Sequence, residues 1–392
     1  MRKAKLVLMF LLLLVVSVMV ACGNDETAGS GDDTDVTPVE DLEVEMDGPI
    51  KINSDIPEGS EIFSEGPNGE EAVSAHTIEL TEEEVAEIRE GDYTAAISMH
   101  YAGNDWSRAQ IDGLESTFAK MGIEVLAITD AQFSVEKQTS DLETLLSRQP
   151  DILVSIPVDP VSTASAYQRI ADSGVNIVFM DNVPDGFVHG EDYVSVVSAD
   201  NYGNGVAAAH AMAEELGGEG QIGVIYHDAD FFVTGQRVEA FETTIENEYP
   251  DIEIVDRAGI AAPEDGESVA SSMFTRTSDL DGLFVVWDVP AEGAMAAART
   301  AGLDDLVITT IDLGSGVAID MAADQNLKGI GAQLPYDQGV SEAILAGYAL
   351  LGKEAPSYVA VPALSVTKDN LLESWKLVYN EEAPEEIQSY FD

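Results

Sequence analysis

Seven aspartates close short apolar runs in this chain. Asp130 follows Ile128-Thr129, Asp159 ends the run from Ile152 to Val158, and Asp181 follows Ile177-Val178-Phe179-Met180. Asp200, Asp228, Asp288 and Asp312 end later runs. An ionised carboxylate only accepts hydrogen bonds, through two oxygens, so it can take two adjacent hydroxyls of one ligand. An aspartate after a strand can equally cap the next helix by accepting from its first N–H groups. Each of the seven is open to both readings, but the set suits a hydroxyl-rich ligand better than a phosphate or other anion. Two tryptophans add an apolar surface: Trp106 at a loop-to-helix junction and Trp287 beside Asp288. An indole face packs well on the C–H face of a sugar; a core position is the alternative for each. Trp375, inside the last helical pattern, reads as packing.

Signals for bond-making chemistry are weak. Gly218-Glu219-Gly220-Gln221-Ile222-Gly223 matches G-x-G-x-x-G by letter, but it leaves a helix and enters a strand, the reverse of a dinucleotide site. There is no G-x-S-x-G and no P-loop. The five histidines (His76, His100, His189, His210 and His227) lack the spacing of a metal site, and His210 reads as structural. Neither a cofactor nor a metal is expected.

The elements that must hold these residues alternate from Tyr93 onward. Strand candidates are 93–99, 124–129, 151–156, 176–181, 193–199, 221–227, 252–257, 281–287, 307–312, 330–334 and 358–366. Between them lie helical patterns such as Ile111, Leu114, Phe118 and Met121. Alternating strand and helix implies parallel sheets covered by helices on both faces. So many strands over some 300 residues predicts two lobes of about five strands each. In open parallel sheets ligands bind outside the carboxyl ends of strands, where the seven aspartates stand.

The amino-terminal part reads differently. Arg2, Lys3 and Lys5 precede an apolar run from Leu6 to Ala21, the pattern of a secretory signal. That run falls short of the roughly 20 apolar residues a spanning helix needs. Cys22, the only cysteine, follows Met19-Val20-Ala21 and resembles the lipidated cysteine of a bacterial lipobox. An ordinary signal peptide with a chance cysteine is the alternative. Residues 22–75, rich in Gly, Ser, Pro, Asp and Glu, read as an acidic flexible tether. Ile50, Ile52, Ile56, Ile62 and Phe63 offer local docking within its second half. Thr81-Glu82-Glu83-Glu84 is a capping box that opens a lead-in helix within 76–91.

Charge bounds the partners. The chain has 73 Asp plus Glu against 18 Lys plus Arg, a formal net charge of −55. Loss of Arg2, Lys3 and Lys5 with the signal would take it to −58. Such a chain repels phosphate backbones, which excludes nucleic acid, and anionic membrane surfaces apart from a lipid anchor. It reads as built for high ionic strength, as in a halophile, because salt screens the self-repulsion. A calcium binder is the rival, but no D-x-D-x-D-G loop is present.

Several short motifs, in order, resemble the ribose-type periplasmic sugar-binding proteins of ABC transporters over about residues 92–370. These are Ile97-Ser98-Met99-His100 with the loop Gly103-Asn104-Asp105-Trp106; Asp181 after Phe179-Met180; and Ser198-Ala199-Asp200-Asn201 with Gly205. Gln236-Arg237-Val238-Glu239-Ala240-Phe241, Ile311-Asp312 and Ala332-Gln333-Leu334-Pro335 follow. The resemblance implies a type I periplasmic binding protein fold. It has two doubly wound lobes joined by three crossovers near Ala199, Gln333 and Leu364. Lobe 1 is 92–199 plus 334–364, and lobe 2 is 200–333 plus 365–392.

The resemblance and the strand-end reading together give the expected ligand contacts: Asn104, Trp106, Asp181, Asn182, Arg237, Trp287, Asp288, Asp312 and Gln333. This chain departs from the family in having Asn182 where an Arg is usual. It has Ile156-Pro157 where an Asn often precedes the proline, and Trp287 where ribose binders carry Asn. The pocket is thus more apolar and less cationic.

The reading is an extracytoplasmic, lipid-anchored, monomeric solute-binding protein. It captures a small sugar or polyol, delivers it to a membrane permease and catalyses nothing. A ligand-sensing lipoprotein and an exported sugar-acting enzyme are the alternatives. LacI-type regulators share the implied fold, but no helix-turn-helix precedes residue 92.

Overall fold

Short apolar runs separated by amphipathic helices cannot fold back as hairpins; they pair in parallel and bury both faces. A computed structural model of the chain describes residues 48–57, 61–229 and 231–391. Cys22 and the expected signal lie outside the described residues. In chain order the elements begin with β1 (Val73–Ser74), α1 (Glu82–Arg89), β2 (Thr94–Met99), α2 (Asp105–Lys120), β3 (Glu124–Asp130) and α3 (Val135–Ser147). Next come β4 (Ile152–Ser155), α4 (Ala164–Ala171), β5 (Asn176–Met180), β6 (Ser195–Ala199), α5 (Asn201–Glu215), β7 (Gly220–His227), α6 (Phe232–Glu248) and β8 (Ile252–Ile260). After them stand α7 (Gly266–Arg276), β9 (Gly282–Val285), α8 (Asp288–Ala301), β10 (Val307–Ile311), α9 (Ser315–Ala322) and β11 (Leu327–Ala332). The chain closes with α10 (Pro335–Leu350), β12 (Tyr358–Val361), β13 (Leu364–Val366), α11 (Leu371–Tyr379) and α12 (Glu385–Gln388).

The strands form two sheets. One has seven strands in the order β1-β12-β6-β5-β4-β2-β3, all parallel. The other has six in the order β13-β11-β10-β9-β7-β8, parallel except for the antiparallel edge strand β13. The chain passes between the sheets three times: after β6, after β11 and after β12. Helix α10 packs on α2 and on the first sheet, α5 on α6 and the second. The two lobes and the three crossovers are those expected.

Two strand expectations need correction. The candidate 358–366 is two strands in different sheets, because Pro362 has no N–H to continue the ladder of β12. Leu364 therefore begins lobe 2, whereas the expected boundary gave it to lobe 1. The candidate 330–334 lies too far along: β11 starts at Leu327, where Lys328 and Gly329 hide the apolar pattern.

The tether expected over 22–75 does not reach residue 75. Ile50, Ile52 and Ile56 are buried in the main core, whereas Phe63 is exposed. Ile50 bridges to Leu80, and β1 adds an edge strand beside β12. Asn53 N–H donates to Asp337 Oδ1 at the start of α10, at 2.7 Å. Ser64 donates to Asp200 through its N–H (2.9 Å) and its hydroxyl (2.8 Å), and it accepts from Tyr202 N–H. Gln236 of α6 donates to the Glu65 carbonyl. This segment thus touches both lobes beside the crossovers. The capping box is present as read: Thr81 accepts from Glu84 N–H, and Glu84 accepts from Thr81 N–H.

Candidate functional site

The carboxyl ends of both sheets open on one cleft of about 960 Å³. From lobe 1 the loop after β2 brings His100, Tyr101, Asn104 and Trp106; the turn after β3 brings Phe133; Asp159 and Asp181 follow β4 and β5. From lobe 2 come His227 at the end of β7, Arg237 on α6, Trp287 after β9 and Asp312 after β10. Gln333 enters from the second crossover. Four of the seven described non-glycine residues with left-handed backbone line this cleft: Gln132, Phe133, Asp181 and Asp312. Such geometry persists only where the surroundings over-determine it, and it clusters at functional sites.

Helix α6 holds Arg237 in place by lying directly on α5. A Cβ at Gly205 would stand 2.3 Å from the Arg237 carbonyl oxygen, so only glycine permits that approach. The guanidinium donates from Nε to Asn201 Oδ1 (2.9 Å) and from Nη1 to Asp312 Oδ2 (3.2 Å). Gln333 Nε2 donates to the other Asp312 oxygen at 2.6 Å, and Gln333 Oε1 is buried with no protein partner. On lobe 1, Ser198 Oγ donates to Asp181 Oδ1 at 2.6 Å. The lobes also meet at Asp105 of α2, whose Oδ2 accepts from Ser315 N–H (2.9 Å) and Ser315 Oγ (2.6 Å) on α9.

Burial shapes the charges. It pushes the Asp181 carboxyl up to about 6, against the lowering effects of Ser198 and Arg237. It holds His100 down at about 4 and lowers His227, so both imidazoles are neutral near pH 7. Asp288 is raised well above the usual range by burial and then by the charge of Asp312. Arg237 is already paired with Asp312, leaving the cleft without a free cation among these polar groups.

Seven expected ligand residues are brought together along the cleft: Asn104, Trp106, Asp181, Arg237, Trp287, Asp312 and Gln333. Two are not among its lining residues. Asp288 is buried at the start of α8, where its Oδ1 accepts from Val289 N–H, and a Cβ on Gly314 would strike its other oxygen. Asn182 is buried behind Asp181. Asn104 also caps α2, accepting from Ser107 N–H. Trp106 is buried, its indole N–H without a partner, so it forms wall more than surface.

Of the seven strand-end aspartates, Asp159, Asp181 and Asp312 line the cleft. Asp200 is the capping case: it caps α5 and holds Ser64. Phe133, His100, Tyr101 and His227 were missed. Phe133 is half exposed, stacks on Tyr101 at 5.1 Å and meets His100 edge-on at 5.0 Å. Its signal is its place just beyond β3, where the strand-end pattern points to Asp130; Asp130 instead accepts from Gln132 N–H. His227 meets Trp287 edge-on at 5.2 Å and so helps set its ring.

Two hinged α/β lobes with polar groups converging from both sheets define a clamshell binding protein of the type I periplasmic fold. The sequence model described as a periplasmic binding protein domain matches residues 78–354, and the chain belongs to that family. It is 26% identical over 273 residues to the ribose import binding protein of Bacillus subtilis, covering 69% of this chain and 86% of that protein. Among solved structures it resembles a solute-binding protein of Agrobacterium vitis bound to α-D-tagatopyranose. That match has a TM-score of 0.68 at 20% identity and covers 74% of this chain and all of that one. It also resembles a solute-binding protein of Bacillus halodurans bound to myo-inositol, with TM-score 0.64, 22% identity and coverage of 74% and 99%. The expected resemblance to ribose-type binding proteins is borne out, and the chain stands with binding proteins rather than enzymes.

Proposed function

We propose that this chain captures a small neutral sugar or polyol in the inter-lobe cleft and delivers it to an ABC-type permease. The observation that carries this reading is the composition of one cleft. Asp181, Asp312 and Gln333 offer acceptors for hydroxyl hydrogens, Arg237 offers donors to ring or hydroxyl oxygens, and Phe133 and Trp287 offer faces for C–H groups. An anionic ligand is disfavoured, because Arg237 is paired and Asp159, Glu264, Glu267 and Glu292 also face the cleft. The ribose, tagatopyranose and inositol named for the relatives belong to the same chemical class. Asn182 in place of Arg and Trp287 in place of Asn point away from ribose itself, toward another pentose, a hexose or a polyol.

Neither lobe alone surrounds a small solute, so the ligand stabilises the closed state through contacts it gains only there. Cys22 supplies the lipid anchor that keeps the protein outside the plasma membrane. The test is mass spectrometry of ligand released from the purified protein, followed by calorimetry with that compound and a panel of pentoses, hexoses and polyols. A polyhydroxylated compound bound by the protein is expected. No such compound released, and no heat from any of the panel, would sink the reading. Cys22→Ser should move the protein from the membrane fraction to the medium.

A further inference from the structure

The charged groups that face the cleft from opposite lobes are joined through one side chain outside the expected ligand set. Asn201 is fully buried at the first crossover, as the first residue of α5. Its Oδ1 accepts from Arg237 Nε at 2.9 Å, and its Nδ2 donates to Ser198 Oγ at 2.9 Å and to the Ala199 carbonyl at 3.1 Å. Ser198 Oγ lies 2.6 Å from Asp181 Oδ1, and Arg237 Nη1 lies 3.2 Å from Asp312. With Asp181 ionised, the direction of every bond in this chain is forced. A guanidinium only donates, so the amide must turn its oxygen to Arg237 and its NH2 to Ser198. Ser198 already accepts from that NH2, and its hydrogen is left for Asp181 Oδ1. Asp181 then keeps its other oxygen for the cleft.

We propose that Asn201 is the positioning residue that orients the ligand groups of both lobes, holding Arg237 directly and fixing Asp181 as an acceptor through Ser198. The side chain sits where the chain passes between the lobes, so the two half-sites share one reference point. This rests on the proposed sugar-binding cleft only in calling Asp181 and Arg237 ligand groups; the hydrogen-bond polarity stands without it.

The test reads Asp181 itself, in protein stripped of ligand, by carboxyl 13C NMR titration of aspartate-labelled chain. The signal is assigned by its loss in Asp181→Asn. The other groups facing Asp181 are Arg237 and Asp312 from lobe 2, with Glu342 on α10 and Tyr358 on β12 behind it. None of these is changed. Asn201→Asp keeps an acceptor for Arg237 but gives Ser198 a second carboxylate to donate to, and adds a negative charge. The Asp181 midpoint should rise by about one pH unit. Ser198→Ala removes the donor while leaving Asn201 and Arg237 joined, and should also raise the midpoint. Asn201→Ala removes the amide that commits the Ser198 hydrogen to Asp181 without adding charge, and it should raise the midpoint as well; it takes the place of Asn201→Asp if that variant does not fold. A midpoint unchanged in Ser198→Ala, or unchanged or lowered in the Asn201 variants, overturns the proposal. Because no ligand is used, failure of the cleft to bind sugars would leave this result readable.

Discussion

Asp181 and Arg237 carry the sharpest predictions at the scale of single residues. Both are buried, and each is held by a partner from its own lobe, so neither can relax toward water when a ligand hydroxyl is withdrawn. Asp181→Ala and Arg237→Ala should each cost about 2–5 kcal/mol of binding, measured by calorimetry with the identified ligand. Affinity near that of the native protein in both would refute the site. The burial of Asp181 also predicts pH dependence. Its carboxyl stands at about 6 in the folded protein against an ordinary value of 3.8. A raised carboxyl contributes stability that is fully present below 3.8 and is lost as pH rises through about 6. A ligand hydroxyl donating to Asp181 favours the ionised form, so binding should release a proton near pH 6, and affinity should fall as pH drops below it. Calorimetry in buffers of different ionisation heat reads that proton; equal heats in all of them at pH 6 would refute the linkage. Residue types gave part of this site away. A carboxylate after a strand was visible, but whether it faced the cleft (Asp181, Asp312) or capped a helix (Asp200) depended on the turn each one entered.

At the scale of elements, the informative piece is the segment ahead of the family match. Residues 48–57 and 61–77 precede the matched region at 78–354, yet they reach both lobes. Ser64 makes the link: Asp200 caps α5 and accepts from Ser64 as well, so one carboxylate serves both the helix and the segment. Ser64→Ala removes one hydroxyl that both donates and accepts in a buried position. It should lower stability by about 1–3 kcal/mol, read by denaturant unfolding. An unchanged midpoint would mean that the segment rests on the body without bracing it. The place of this segment is not legible in the sequence, because its isoleucines have no helical or strand period. They are legible as apolar, but the segment's anchors are Leu80 for Ile50 and Asp337 of α10 for Asn53, the latter far along the chain.

At the scale of the whole molecule, net charge and the position of the cleft between two lobes set the expectations. With 73 acids against 18 Lys plus Arg, most carboxylates have no cation to pair with. Repulsion among them should weaken as the Debye length shrinks from about 30 Å at 0.01 M to about 3 Å at 1 M. The melting temperature is therefore expected to climb across that range, equally in NaCl and KCl. A flat profile would refute screening, and a preference for one cation would favour specific sites instead. Closure is the second prediction. Trp106 and Trp287 stand on opposite walls, and Asp105 joins Ser315 across the lobes. Ligand should shrink the radius of gyration in small-angle scattering and change the tryptophan fluorescence. Asp105→Ala should lower affinity by about 1 kcal/mol, because it loses bonds that join the two lobes. Tight binding with neither signal altered would mean that the lobes do not clamp.

The class of fold, the alternation of strands and helices, and the set of residues from which the site is drawn are all legible in the chain alone. Those are local properties: hydrophobic period, turn chemistry and side-chain type are written within a few residues. The chain alone also determined the charge, which is a sum and needs no structure. Tertiary structure decided the rest. Pro362 separates β12 from β13, but only sheet pairing shows that the two strands belong to different lobes. Asp288 carries the same strand-end signal as Asp312, yet it is absent from the cleft lining, because α8 begins at that residue and buries it. Phe133 and His227 become site residues only because the carboxyl ends of the two sheets open on one cleft. The link through Asn201 exists because residues at 181, 198, 237 and 312 meet around it, and contacts between distant segments leave no periodic trace in the chain.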